Sequence, residues 1–427
     1  MWKLPMDGRA PWCGYWTGMC DLQAQSPASS TPAFKPSKND PTQDRRMSKP
    51  FPEKRKILFL FSDTGGGHRS AAEAIIEALV KDFDDEVSPK MVDIFQDYAP
   101  PPFHRAHDFY SKVVRVPKAW GLGFRLSNGH RRAHLLTSSL WPYIRKSARQ
   151  LVAQNPSDLI VSVHSAANAP VLSALGDNRP PFVTVVTDLV TTHALWYHRR
   201  ADLCLVPTKQ AFFKALENGL DPERVKVVGL PVAEKFCQPS CDPTELRQHL
   251  CWPLDRAVIL LVGGGDGMGP IKRTAHTIAN SGLPVTLVVV AGRNRSLRAS
   301  LEAENWPLPV FIYGFVREMP QFMLASDILV TKAGPGTITE AFNAGLPLIL
   351  YSRLPGQEDG NVSFVISEGA GVWAPSPDLI VSAIKTWIEN PEKRRQAAVA
   401  SRRLARPEAA RVIAQILVDQ IRTKVSQ

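Results

Sequence analysis

Short apolar runs of strand length alternate with amphipathic segments of helix length from Lys54 onward, and they do so in two series. The first holds Ile57 to Phe61, Leu159 to Val163, Phe182 to Val186, Leu203 to Val206 and Val225 to Val228. The second holds Val258 to Val262, Val285 to Val290, Val310 to Tyr313, Ile328 to Thr331 and Leu346 to Tyr351. Runs of this kind read as strands buried on both faces, and the helical segments between them cover a parallel sheet. A chain of 427 residues also exceeds one ordinary core. The pattern predicts an α/β protein of two domains, 54–235 and 254–391, joined by a linker over 236–253 that contains Pro239, Pro243 and Pro253.

The N-terminal end has a different character. Residues 21–53 are rich in Ser, Pro, Thr, Asn and Lys without periodic apolar positions, so a disordered tail is expected over 1–53, and Met47 is a second candidate start. There is no charged start followed by an apolar run, as a secretory signal requires. No apolar run approaches the roughly 18 to 20 residues that span a bilayer. These features lead to the expectation of a cytoplasmic protein without a transmembrane helix. Six cysteines without a Cys-x-x-Cys pair argue against a disulfide framework. Cys237, Cys241, His249 and Cys251 fit no structural zinc spacing.

In tandem α/β folds the ligand sits where strand C-termini open into a crevice, which directs attention to the loops after strands. The first strand runs into Ser62-Asp63-Thr64-Gly65-Gly66-Gly67-His68 and then a strong helix former. Gly66 and Gly67 allow close approach of backbone to a ligand, and the helix start disfavours imidazolium. His68 is thereby a candidate general base for an acceptor hydroxyl. In the second domain, Gly263 to Gly269 follows its first strand, placing Gly264, Gly265 and Gly267 where backbone N–H groups hold a diphosphate. Lys332-Ala333-Gly334-Pro335-Gly336-Thr337-Ile338-Thr339-Glu340 combines a strand end, a phosphate-touching glycine turn and a carboxylate able to accept from ribose hydroxyls. Gln357, Glu358 and Asn361 follow the next strand, suited to reading sugar hydroxyls. Neither domain carries a dehydrogenase Gly-x-Gly-x-x-Gly with its acidic partner, and no Walker loop is present.

Ser62 to His68 with Arg69, Thr187-Asp188-Leu189 with His193 and Trp196, Gly263 to Gly269, Lys332 to Glu340 and Gly356 to Asn361 together resemble the monogalactosyldiacylglycerol synthase family. The resemblance runs over roughly residues 55 to 390. Its relatives include processive diacylglycerol glucosyltransferases and the lipid-linked GlcNAc transferase of peptidoglycan synthesis. It implies a GT-B fold of two Rossmann-like domains facing a crevice, inversion at the sugar carbon, and no catalytic metal or cofactor, the UDP-sugar being a co-substrate. By resemblance His68 matches the base, and Gly334 to Glu340 and Gln357 to Asn361 match the UDP-sugar site. Asp188, His193 and Trp196 lie on the acceptor side, and 392–427 forms a helical segment packing back across the domains. Two departures stand out: Asp266 where Glu is expected, and His164-Ser165-Ala166-Ala167 in place of a bulkier stretch. The one Asp-x-Asp, Asp82-Phe83-Asp84, sits at a helix end, so leaving-group charge falls to backbone N–H groups and to Arg293 and Lys332.

Between Pro100 and Gln150 stand ten Lys or Arg against the single acid Asp108, which is +9 of the formal +11. Aromatic residues interleave with them. Arg115, Lys118, Trp120, Phe124, Arg131, Arg132 and Trp141 are the candidate membrane-docking set, because basic and aromatic groups together suit an anionic headgroup layer. A nucleic-acid surface uses the same residue types, but no such fold signature accompanies them. The combined expectation is galactose transfer from UDP-galactose to diacylglycerol by an enzyme held peripherally on the inner face of a membrane. The alternatives are glucose as the sugar, a polyprenyl-linked acceptor, or a non-catalytic lipid- or nucleotide-binding regulator.

Overall fold

Each apolar run becomes a parallel strand in a computed structural model that describes residues 53–63, 66–101, 103–105, 116–237 and 241–425. The tail expected over 1–53 falls, apart from Glu53, outside the described residues, as does Arg115 of the docking set.

The first domain runs β1 (Arg55–Phe61), α1 (Gly67–Phe83), β2 (Val87–Asp93), α2 (Pro117–Ser127), α3 (His130–Gln154), β3 (Leu159–Ser162), α4 (Ser165–Leu175), β4 (Phe182–Val185), β5 (Leu203–Val206), α5 (Lys209–Glu217) and β6 (Val225–Val227). Its strands are parallel in the order β2-β1-β3-β4-β5-β6. The second domain runs α6 (Pro243–His249), β7 (Ala257–Val262), α7 (Ile271–Ala279), β8 (Val285–Val290), α8 (Arg295–Glu302), β9 (Val310–Tyr313) and α9 (Met319–Leu324). It continues with β10 (Ile328–Lys332), α10 (Pro335–Ala344), β11 (Leu348–Ser352), α11 (Asp359–Ser367), β12 (Gly371–Trp373) and α12 (Pro377–Glu389). These strands are parallel in the order β12-β11-β10-β7-β8-β9. Two closing helices follow, α13 (Pro391–Leu404) and α14 (Ala409–Val425). This is the two-sheet α/β architecture that the resemblance implies.

The strand orders place the chemistry. In the first sheet the chain goes from β1 outward to β2 and returns on the other side as β3, so the order reverses beside β1, the strand that leads to His68. In the second it reverses between β7 and β10, the strands that lead to the two glycine turns. Such reversal points open a crevice at the strand C-termini because the flanking connections cross to opposite faces.

The chain passes between the domains near Glu234 and again between α13 and α14. Glu234 is held by Lys81 at 2.6 Å and Arg411 at 2.7 Å, and Lys235 donates to the Arg317 carbonyl. Ile413, Leu417 and Val418 of α14 complete the first domain's core beside Ile57, Phe59 and Leu79, while Ser401 of α13 donates to the Leu346 carbonyl of the second.

Three parts differ from the sequence reading. The segment expected as a linker, 236–253, contains helix α6, whose Arg247 meets Asp327 and the Ala325 carbonyl at 2.7 Å, and the buried Trp252 packs on Phe322. It belongs to the second domain's core, where an arginine and a tryptophan outweigh its prolines. Strands β2 and β12 escape the apolar-run pattern because both are edge strands: β2 is only partly buried and carries Pro89, and β12 has three residues. Among the described residues, no helix is long and apolar enough to cross a membrane.

Candidate functional site

The C-termini of β1, β3 and β4 meet at His68. Gly66 caps α1 in the left-handed region (φ 75°), which turns the chain so that His68 falls in the first helical turn. His68 Nδ1 lies 2.7 Å from Thr187 Oγ1, just beyond β4, and that oxygen lies 3.5 Å from the Val163 carbonyl just beyond β3. In the tautomer that carries its proton on Nδ1, the ring donates to the Thr187 hydroxyl, the hydroxyl turns its own proton toward Val163, and Nε2 keeps a lone pair. Burial pushes the His68 imidazole down to about 4, with the Val163 carbonyl pulling the other way. The ring is neutral at pH 7, and desolvation adds to the helix-start effect that the sequence suggests. Thr187 stands in the resembling motif, but its work of orienting the base emerges only from the fold. His164 packs edge-on against His68 at 4.6 Å and is likewise held neutral, chiefly by burial.

The residues expected on the acceptor side form the wall behind this histidine. Trp196 is buried 6.0 Å from the His68 ring and donates its Nε1–H to Asp188 Oδ2 at 2.7 Å. Asp188 Oδ1 accepts from Gln357 Nε2 at 3.0 Å, across the crevice. Burial raises the Asp188 carboxyl's pKa, opposed by the bonds from Gln357 and Trp196. His193 accepts from Leu195 N at 3.1 Å and meets Ser127 Oγ at 3.1 Å, and burial pushes it down to about 4. Asp188, His193 and Trp196 are therefore engaged by protein partners at the crevice; they hold its wall and tie α2 to it.

On the facing side, the turn after β7 folds tightly. Gly267 has φ 60°, and a Cβ there would stand 2.1 Å from the Ala291 carbonyl, so no side chain fits. Arg293 reaches back over this turn: Cβ atoms placed on Gly265 and on Gly66 would each lie 3.6 Å from its Nη1. The guanidinium thus stands between the glycine loops of the two domains, 3.2 Å from Asp266 and stacked on Phe315 at 4.9 Å. Helix α10 opens at Gly334 with Pro335 in its first position. The N–H groups of Gly336 and Thr337 have no upstream helical carbonyl to bond, which is the standard anion-binding arrangement. Lys332 lies beside Gly264, 3.5 Å from a Cβ placed there.

Glu358 departs from expectation. It is 2 % exposed, with Oε1 on Lys332 Nζ at 2.7 Å and Oε2 accepting from Leu354 N at 2.7 Å. Its carboxylate is enclosed and serves as an internal partner, and Lys332 has its charge matched within the protein. Arg293 is the more open cation, since exposed pairs such as Arg293 with Asp266 are weak and separable. Gln357 and Asn361 are held differently. Asn361 donates to the Ala333 carbonyl at 2.9 Å, and its Oδ1 and the Gln357 Oε1 are buried without a hydrogen-bond partner among the described residues. Glu340, on α10, is raised to about 7 by burial, with Lys235 opposing.

The docking set divides. Lys118, Arg131 and Arg132 are exposed, and Trp120 and Trp141 are half-buried. Phe124 instead faces inward, 5.0 Å from the His193 ring and against Gly356. Leu122 (60 % exposed), Leu126 (62 %) and Leu135 (68 %) stand outward among the cations. The sequence reading passed over these leucines; the i, i+4 spacing of Leu122 and Leu126 within one helix was the available signal.

Comparison with known proteins agrees with this arrangement. Residues 68–232 match the family model described as monogalactosyldiacylglycerol (MGDG) synthase, and 244–404 match that of glycosyl transferases group 1. A relative from Oryza sativa subsp. japonica, named probable monogalactosyldiacylglycerol synthase 2, chloroplastic, is 36% identical over 369 residues, or 83% of this chain and 78% of its own. Monogalactosyldiacylglycerol synthase 3, chloroplastic, from Arabidopsis thaliana is 35% identical over 83% of this chain and 79% of its own. Among solved structures, Anabaena HepE in complex with UDP aligns at TM-score 0.52 and 18% identity over 85% of this chain and all of its own. Acinetobacter baumannii MurG aligns at 0.54 and 16% over 86% and 99%. At these identities the structural likeness is one of fold. A GT-B architecture and a relationship at this identity over most of the chain together place the protein in the monogalactosyldiacylglycerol synthase family of glycosyltransferases.

Proposed function

We propose that the chain transfers galactose from UDP-galactose to the free hydroxyl of 1,2-diacylglycerol, with inversion, at a membrane surface. The observation that carries this reading is His68: neutral, oriented through Nδ1 by Thr187, and placed at the crevice opposite the two glycine turns. Nε2 takes the proton of the acceptor hydroxyl as its oxygen forms a bond to the anomeric carbon. The bond from that carbon to the diphosphate breaks, and its electron pair leaves with UDP. A single displacement of this kind inverts the sugar carbon. Charge developing on the diphosphate falls on the N–H groups of Gly336 and Thr337 and on Arg293, which act before any reorganisation is needed. Glu340 accepts from the ribose, and the amide oxygens of Gln357 and Asn361 accept from the sugar. The Arabidopsis relative is named a monogalactosyldiacylglycerol synthase and the Oryza relative a probable one, which supports galactose and diacylglycerol as the pair.

Peripheral attachment is part of the reading. Leu122, Leu126 and Leu135 are exposed, Lys118, Arg125, Arg131 and Arg132 surround them, and no acidic residue occurs from 117 to 157. Each cation contributes about 1 kcal/mol near an anionic surface. The experiment supplies labelled UDP-galactose or UDP-glucose to the protein with diacylglycerol vesicles and scores lipid-bound label and its anomeric form. β-Galactosyl lipid from UDP-α-galactose supports the reading; glucose incorporation alone, or retained anomeric configuration, overturns it.

A further inference from the structure

Helix α2 touches two things at once. On one side Gly121 lies against Pro355: a Cβ at Gly121 would stand 2.8 Å from Pro355 Cβ and 3.3 Å from its carbonyl oxygen. One turn on, the Phe124 ring fills the space over Gly356, where a Cβ would meet it at 2.8 Å. Two crevice-spanning hydrogen bonds flank these contacts, Gln357 Nε2 to Asp188 and Gly360 N to Thr191 Oγ1 at 2.8 Å. The segment so gripped, 353–361, is the one that presents Gln357 and Asn361. It is braced internally by Arg353 on Asp359 and by Gly356 N on the same carboxylate at 3.0 Å. On another side of α2, Leu122 and Leu126 stand in solvent beside Lys118 and Arg125. Its C-terminal end is tied to the first domain: Ser127 meets His193, and Asn128 Oδ1 accepts from Ala194 N at 2.9 Å.

We propose that α2 is a strap coupling the membrane surface to the donor site, with Gly121 and Phe124 as its positioning residues. Seating Leu122 and Leu126 in an anionic lipid surface fixes the orientation of an eleven-residue rigid helix. Its inner side then holds the sugar-reading segment in its binding conformation. An acid-free stretch of exposed leucines and cations suits a lipid surface by charge, and this inference rests on the peripheral attachment proposed above. Affinity for the nucleotide sugar therefore rises when the protein is on a membrane, and linkage requires that the nucleotide sugar strengthen membrane binding by the same factor. An enzyme so built commits its donor at the surface where the acceptor resides.

The test uses the full chain, UDP-galactose, and phosphatidylcholine vesicles carrying phosphatidylserine but no diacylglycerol, so that neither lipid turnover nor acceptor binding contributes. The wild type is expected to co-sediment with vesicles and to bind UDP-galactose about five-fold or more tightly there than in buffer, the lower end of usual coupling factors. Gly121→Val pushes α2 off Pro355; it still co-sediments, but its UDP-galactose affinity is equal with and without vesicles. Phe124→Leu, which keeps an apolar side chain in place, gives the same loss of coupling if the valine variant fails to fold. Leu122→Ser with Leu126→Ser, both at exposed positions, weakens co-sedimentation and leaves UDP-galactose affinity in buffer at the wild-type value. A vesicle-bound wild type with unchanged UDP-galactose affinity overturns the strap while peripheral attachment stands. Absence of co-sedimentation overturns both, and full coupling retained in the Gly121 and Phe124 variants overturns the roles of those residues.

Discussion

Replacing Glu358 by glutamine separates a structural carboxylate from a sugar-reading one. Glu358 and Lys332 are 3 % and 15 % exposed in their side chains and 2.7 Å apart, with the second carboxylate oxygen taken by Leu354 N. Both partners of the carboxylate are donors, whereas a glutamine amide offers one oxygen and one NH2. One contact of Glu358→Gln therefore becomes donor against donor, and the Lys332 ammonium loses its counter-charge. Breaking a buried pair by removing one member costs about 3–5 kcal/mol. The lower end applies because the amide oxygen still accepts one bond, which gives about 3 kcal/mol. With a urea slope of about 2 kcal/mol/M, the unfolding midpoint falls by roughly 1.5 M. Changing Lys332→Met as well removes the orphaned charge, so the double variant recovers most of that loss. Urea titration of the four proteins of the cycle, followed by tryptophan fluorescence, reads the coupling directly. If Glu358→Gln unfolds at the wild-type midpoint yet fails to bind the nucleotide sugar, Glu358 is a ligand contact and the argument is refuted.

Three further outcomes follow from the same geometry. Since burial holds His68 near 4, the imidazole loses its proton-accepting form only as pH falls through about 4; the acid limb of kcat, read at saturating donor so that the Glu340 effect on donor KM does not enter, lies there. A limb at the ordinary histidine value of about 6.5 contradicts this. Thr187→Val removes the hydroxyl that fixes the His68 tautomer, and kcat is expected to fall about ten-fold, equivalent to about 1.4 kcal/mol, with little change in donor KM; steady-state kinetics showing a KM effect alone would argue for a different role. Glu340 carries its charge only above about pH 7, so donor KM falls as pH rises through 7 in the wild type but stays level in Glu340→Gln, measured over pH 6–8 where His68 does not titrate.

The readings that held were those in which local pattern and tertiary environment agree. Val258 to Val262 and Val285 to Val290 are continuous apolar runs because both faces of their sheet are covered, and burial is nearly complete along both. Strand β2 was invisible for the opposite reason: an edge strand alternates in burial and tolerates proline. In the site, a glycine turn after a strand is legible because the backbone requirement is local, as at Gly267. The state of Glu358 is not legible, because an acid in a polar loop reads as exposed until its lysine 26 positions away is brought beside it. The bond between Asp188 and Gln357 spans 169 positions and exists only once two sheets face each other. Phe124 shows the same limit: an aromatic residue in a basic stretch reads as a membrane contact, yet the fold turns it inward onto Gly356, while Leu122 and Leu126 take the outer side.

The central claim is that His68 is the base of a galactosyl transfer to diacylglycerol. The most direct measurement compares wild type and His68→Ala for label passing from UDP-galactose into diacylglycerol vesicles, with UDP binding measured in parallel. The account predicts transfer by the wild type and a loss of about 10²- to 10⁴-fold in the variant, with UDP affinity unchanged. Full turnover by His68→Ala would contradict it.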